Sequence, residues 1–279
     1  MYFDRIRAKA EARAAMSGVH PNPMLVTLVY LLLTSGLSAA GTYVIFLLAS
    51  GSPLRAIQGL VLGSEFFPEE LWTGAMLLPF LFFSILMWLF STVLGAGYIA
   101  YAMRLARGQE AGFHDMMDVF AMAGRVLLTA LWQTLCILGW ALAGSVLFAV
   151  VSVLLSTMGL FGMILLFPAL VGFIAYMLWV ALRYSLTYFF LMDEPEAGPC
   201  AAVRSSVVYM NGWKWELFKL QCSFMGWQLL STLTMGVLGL WVTPYSMGAM
   251  VNFYDCLTGR WPRVPRQEAL EGRTDFWVK

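Results

Sequence analysis

The feature that most limits how this chain can fold is the absence of charge over long stretches. No Lys, Arg, Asp or Glu occurs in residues 14–54, 71–103, 126–182 or 220–254. A helix needs roughly 20 apolar residues to cross the ~30 Å hydrocarbon core of a bilayer, and every one of these runs is longer. Continuous apolar character also argues for helices over a membrane barrel, whose strands alternate apolar and polar residues in segments of about 10. Only 12% of the chain is charged, against roughly 25% in an ordinary soluble domain. The expected fold is therefore all-α, a polytopic transmembrane helical bundle forming one domain over residues 1–279.

Six spans are expected, at about residues 24–49, 71–102, 126–155, 163–191, 217–235 and 238–256. Residues 126–182 as one helix would measure ~85 Å, so that run must fold back, with a turn expected at Ser156–Gly162. The last run is short for two spans. A hairpin turning at Met235–Gly239 competes there with one long span, and Gly236, Gly239 and Pro244 disfavour a continuous helix. Pro68-Glu69-Glu70 reads as a helix start, with proline in the first turn and acids at the positive end of the dipole. Ser38-Ala39-Ala40 loosely fits a signal-cleavage pattern, but the apolar run continues past it, so the segment is expected to be an anchor. Residues 1–20 are expected to hold a cytoplasmic interfacial helix with Tyr2, Phe3, Ile6 and Ala10 as its apolar stripe. A solvated tail is the competing reading.

Charge sets the expected orientation. Arg5, Arg7, Lys9 and Arg13 precede the first span, and Arg104, Arg107 and Arg125 follow the second. Arg183, Arg204, Lys214 and Lys219 follow the fourth, and Arg260, Arg263, Arg266, Arg273 and Lys279 fall in or beside the tail at 257–279. With six spans these all share one side, leaving Arg55 alone on the other, so the positive-inside rule places both termini in the cytoplasm. A five-span arrangement would put the tail charges outside. An internal repeat is also visible. Glu110-Ala111-Gly112, Met122-Ala123-Gly124 and Gly139-Trp140 return in order as Glu196-Ala197-Gly198, Met210-Asn211-Gly212 and Gly226-Trp227. Chance matching of common membrane residues is the alternative.

Catalytic and cofactor chemistry finds little support. The chain lacks HExxH, GxSxG and the phosphate-binding GxxxxGK[ST] pattern. His114 and Asp118 have i,i+4 spacing, yet a zinc site normally takes three or four protein ligands, and a solvated helix face is the expectation. No catalytic residue, metal or cofactor is expected. Cys136, Cys200, Cys222 and Cys256 fall in spans or on the cytoplasmic side, where disulfides are not expected. Arg183 reads either as a lipid-headgroup contact or as a residue reaching to the interface from the inner end of span four. No basic block suits nucleic acid.

The stretch from Tyr184 to Leu257 carries a distinctive series of pieces. These are Asp193…Pro195, Ala202-Val203-Arg204-Ser205, Met210-Asn211-Gly212, Lys214-Trp215, Ser223-Phe224-Met225-Gly226-Trp227 and Val242-Thr243-Pro244-Tyr245. Together with Arg107-Gly108-Gln109-Glu110 they resemble the bacterial integral membrane family known as domain of unknown function 975. Two positions depart from that pattern: Glu194 stands where the family favours Asn, and Cys222 where it often has Asp. The resemblance implies a multi-span helical fold in a bacterial plasma membrane and brings no established activity. It singles out Asp193, Pro195, Arg204, Gly212, Lys214, Ser223, Gly226, Trp227, Pro244 and Tyr245 as an interaction or structural motif.

The expected function is non-enzymatic, acting through membrane lipids and a protein partner or a second copy of the chain. A transporter for a small apolar or amphiphilic compound, including one that protects against membrane-active peptides, is the alternative. A lipid-modifying enzyme would have to draw on Asp193, Glu194, Glu196, His114 and Asp118.

Overall fold

The computed structural model describes residues 3–17, 19–62 and 77–261. Tyr2, Pro68-Glu69-Glu70 and the tail cations from Arg263 onward lie outside the described residues. Those described are helical throughout, with no strand. The long helical segments are α2 (Pro23–Leu31) running on into α3 (Leu37–Ser50), α5 (Leu77–Ala106), α7 (Ala123–Ser156), α8 (Leu160–Arg183), α11 (Lys214–Leu233) and α12 (Gly239–Leu257). Shorter ones are α1 (Arg5–Ala15), α4 (Pro53–Leu62), α6 (Phe113–Asp118), α9 (Thr187–Asp193) and α10 (Pro199–Tyr209). A π-helical turn, Leu32–Gly36, joins α2 to α3 without a break.

Local chemistry sets several of these boundaries. Asp4 caps α1 by accepting from the Ile6 and Arg7 amides at 2.9 and 3.3 Å. Asn22 caps α2 by accepting from the Met24 amide at 3.0 Å, with Pro23 in the first helical position. Such caps satisfy amides that the helix leaves orphaned. The run 126–182 turns back between Ser156 and Leu160, and the last run turns between Leu233 and Gly239. Both returns make antiparallel pairs. Phe148 stacks on Phe173 across α7 and α8. Trp227 meets Trp241, and Phe224 meets Tyr245, across α11 and α12.

One order occurs three times, a short helix and then two long helical segments, with α4 standing between the two long segments of the first unit. Helix α1 precedes α2–α3 and α5; α6 precedes α7 and α8–α9; α10 precedes α11 and α12. The repeated tripeptides sit at matching points, with Gly112 leading into α6 and Gly198 into α10.

Four segments are long and apolar enough to cross a membrane: Pro23–Leu48, Leu77–Ala106, Phe113–Ser156 and Leu160–Asp193. Their outward faces are apolar and uncovered, with Leu147 66% and Phe167 72% exposed. A water-soluble protein does not present such continuous surface, whereas lipid covers it at no cost. The chain is thus a helical membrane protein.

The tightly packed core lies at one end, around α12, which touches α1, α2, α5 and α11. Of the stripe on α1, Phe3 packs inward, whereas Ile6 is 82% exposed and Ala10 is exposed with it; Ala8 and Ala12 are buried. Small side chains win because the two helices come close: a Cβ at Gly248 of α12 would stand 3.2 Å from the Ala12 Cβ. A bulky face could not make that approach.

Candidate functional site

The charged groups gather where the three helix pairs end. Arg107 directly follows α5, Asp193 closes α9, and Asp255 lies in the last turn of α12. Arg107 donates through Nη1 to Asp193 Oδ1 at 2.9 Å and through Nη2 to Asp255 Oδ1 at 2.8 Å. Asp193 Oδ2 also accepts from the Tyr254 hydroxyl at 2.8 Å and pairs with Arg260. Among the described residues, two aspartates and two arginines balance at this junction. The Arg107, Asp193 and Asp255 side chains are 22%, 9% and 1% exposed, so none could stay charged cheaply without the others. Burial alone would pull the Arg107 guanidinium down, but Asp255 and then Asp193 outweigh it and hold it above its ordinary value. A planar fork with fixed donors is the natural group for two carboxylates at once.

A second set of contacts docks α1 along α12. The Asn252 amide donates to the Ala8 carbonyl at 2.8 Å, and Trp261 Nε1 donates to Glu11 at 2.7 Å. Three cations of α1 lie over aromatic rings: Arg7 over Trp261 at 5.5 Å, Lys9 over Phe224 at 4.4 Å, and Arg13 over Tyr245 at 5.5 Å. Such contacts contribute about 0.5–1 kcal/mol each when exposed.

The motif residues divide between these clusters and the surface. Asp193 belongs to the ionic junction. The Pro195 carbonyl accepts from Arg125 at 3.3 Å, and Arg125 also pairs with Glu196 at 3.1 Å. The Ser223 carbonyl accepts from Lys9 at 3.4 Å. Tyr245 and Trp227 take part in the ring contacts between α11 and α12, and Pro244 is buried inside α12. Gly212 forms the turn before α11, and Lys214 opens that helix with its ammonium 4.1 Å from the Trp179 ring. Arg204 is exposed on α10. Gly226 faces open space, so no neighbouring helix among the described residues approaches it closely. Asp255, Arg260 and Asn252 were not singled out by the motif. Asp255 could have been: it is the charge that closes the run 220–254, as Arg104 closes 71–103.

His114 and Asp118 gain a third neighbour, Asp115, with ligand atoms all within 4.8 Å of one another. The set fits a cation poorly. Asp115 already pairs with Arg104 and accepts from the Gly112 amide at 2.7 Å. The arginine opposes a metal charge, and the arrangement is that of a capped helix start.

The family model described as "Protein of unknown function (DUF975)" matches residues 1–261. The chain belongs to this family. No curated protein and no solved structure is significantly similar to it. The DUF975 match covers Arg107, Asp193, Asp255 and Arg260 together, so the whole ionic junction lies within the family's extent.

Proposed function

We propose that this DUF975 protein is a non-enzymatic, six-span protein of a bacterial plasma membrane, with both termini cytoplasmic, that acts through membrane lipids and protein partners. One observation carries the reading: the buried carboxylates Asp193 and Asp255 are spent on Arg107 in the ionic junction, while the uncovered surface of α7 and α8 is apolar. A catalytic or ion-coupled site would hold an ionisable group toward a cavity. Purification in native-lipid nanodiscs, followed by mass spectrometry, tests this. A protein or lipid retained in fixed proportion supports the proposal. Solute flux or substrate turnover by the protein alone ends it.

Transport of an apolar or amphiphilic compound remains the alternative, and one feature favours it. A groove of about 380 Å³ lies between α7 and α8, lined by Gly144, Phe148 and Phe173 among others. Its lining comes from α7 and α8 alone, and Leu147 in that lining is 66% exposed, which suits a lipid chain better than a path through the bundle.

The register of α1 favours a second reading of the last hairpin. Phe3 meets Phe253, and Arg13 reaches Trp241, so a cationic helix accompanies nearly all of α12. A re-entrant hairpin, entering and leaving on the cytoplasmic side, would keep those cations out of the lipid. Both readings keep the termini on one side.

A further inference from the structure

One group of charges stands apart from the ionic junction. Arg183 ends α8, and Lys214 begins α11. The Lys214 ammonium lies 4.1 Å from the Trp179 ring, and the Arg183 guanidinium 5.5 Å from the Trp140 ring. Trp179 and Arg183 are one turn apart on the same face of α8, so the two cations share one small region and repel each other. Among the described residues no acid pairs with either. Lys214 is only 9% exposed, and the Arg183 Nε is buried without a hydrogen-bond partner. Two like charges held together, partly desolvated and with no counter-ion among the described residues, are unfavourable unless an anion joins them.

The surroundings say which anion. One turn along α7 from Trp140 lies Gly144, where the apolar groove begins. Tyr176 closes the groove beside it by donating to the Trp140 carbonyl at 2.9 Å. Ala143, Leu147, Phe148, Gly172 and Phe173 continue the lining, and none carries a charge. Cationic head and apolar groove are thus contiguous on one outward surface. Trp179 lies ~28 Å along α8 from Leu160, about the thickness of the hydrocarbon core, which puts the cations at the interface where headgroups lie.

We infer that Arg183 and Lys214 bind the phosphate of an anionic phospholipid whose acyl chain occupies the groove between α7 and α8. Trp140 and Trp179 flank the headgroup, and the guanidinium and ammonium supply donors to its oxygens. This rests on the membrane-protein reading above and gives its lipid partner a chemical class.

The test uses the full chain in neutral detergent, offered equal amounts of phosphatidylglycerol and phosphatidylcholine, with native mass spectrometry and thermal unfolding as readouts. Phosphatidylglycerol is expected to be retained over phosphatidylcholine by about tenfold. Lys214→Met and Arg183→Gln bring that ratio to parity. Gly172→Phe, at a position with open space beyond its Cα, fills the groove and lowers retention of both lipids. Lys219→Gln, which removes a cation already paired with Glu216, leaves the ratio unchanged. Without lipid, Lys214→Met unfolds at a higher temperature than the parent, because repulsion is relieved. Phosphatidylglycerol then stabilises the parent and not the variant. Equal retention of the two lipids by the parent overturns the inference. So does a stabilisation by inorganic phosphate alone that matches phosphatidylglycerol, since the ligand would then be a soluble anion. A Lys214→Met protein that is less stable and keeps the lipid preference assigns the cations a packing role instead. None of these outcomes bears on a co-purifying protein partner, so the broader proposal is judged separately.

Discussion

Arg107 reaches Asp255 across 148 positions of the chain, placing Nη2 2.8 Å from an oxygen of a carboxylate that is almost wholly buried. Arg107→Met leaves that carboxylate without its guanidinium. Breaking one partner out of a buried pair costs about 3 kcal/mol. The expected result is a large fall in unfolding temperature in detergent. Adding Asp255→Asn to Arg107→Met should recover part of it, with a coupling of about 2 kcal/mol in a double-mutant cycle. Additive losses would mean that the two side chains do not depend on each other.

Helix α1 should come off its seat when the seat is filled. The Ala12 Cβ lies 3.2 Å from where a Gly248 Cβ would stand, so Gly248→Leu forces the helices apart. Limited proteolysis is expected to cut within Arg5–Ala15 of the variant while the parent resists. Equal resistance would show that α1 is held without that approach.

Cysteine labelling reads the topology. Ser17→Cys should stay unreactive to a membrane-impermeant reagent added from outside, because both readings keep the N-terminus inside. Met235→Cys, at the turn between α11 and α12, should react if the last pair crosses as two spans. Protection at that position selects the re-entrant hairpin.

Zinc or other divalent cations are expected to leave thermal stability unchanged. Arg104 already neutralises Asp115, and its positive charge lies beside the only three-residue ligand cluster among the described residues. Asp115→Ala weakens the start of α6 by about 1 kcal/mol, as loss of a helix-start acceptor does. A metal-dependent rise in unfolding temperature that Asp115→Ala abolishes would reverse the assignment.

Much of the fold was legible because the bilayer imposes a length and a polarity on each helix, and charge-free runs record both. The turns at 157–159 and 234–238 followed from helix length and from glycine and proline placement. The site was less legible. Asp193 stood out within a motif, but its partners Arg107, Tyr254 and Arg260 are distant in sequence, and each reads singly as a charge or ring beside a span. Helix α1 also has a second face that periodicity does not show: Ala8 and Ala12 are buried, and the approach of Ala12 to Gly248 rewards a small side chain.

The ionic junction also bears on how the chain is assembled. A growing polypeptide delivers its first two helix pairs before its third, and these already match Arg107 with Asp193, one charge of each sign. The last pair then arrives with Asp255 and Arg260, again one of each. At each stage these four charges match one another, so the partly made protein can wait for its final helices with Arg107 and Asp193 already paired.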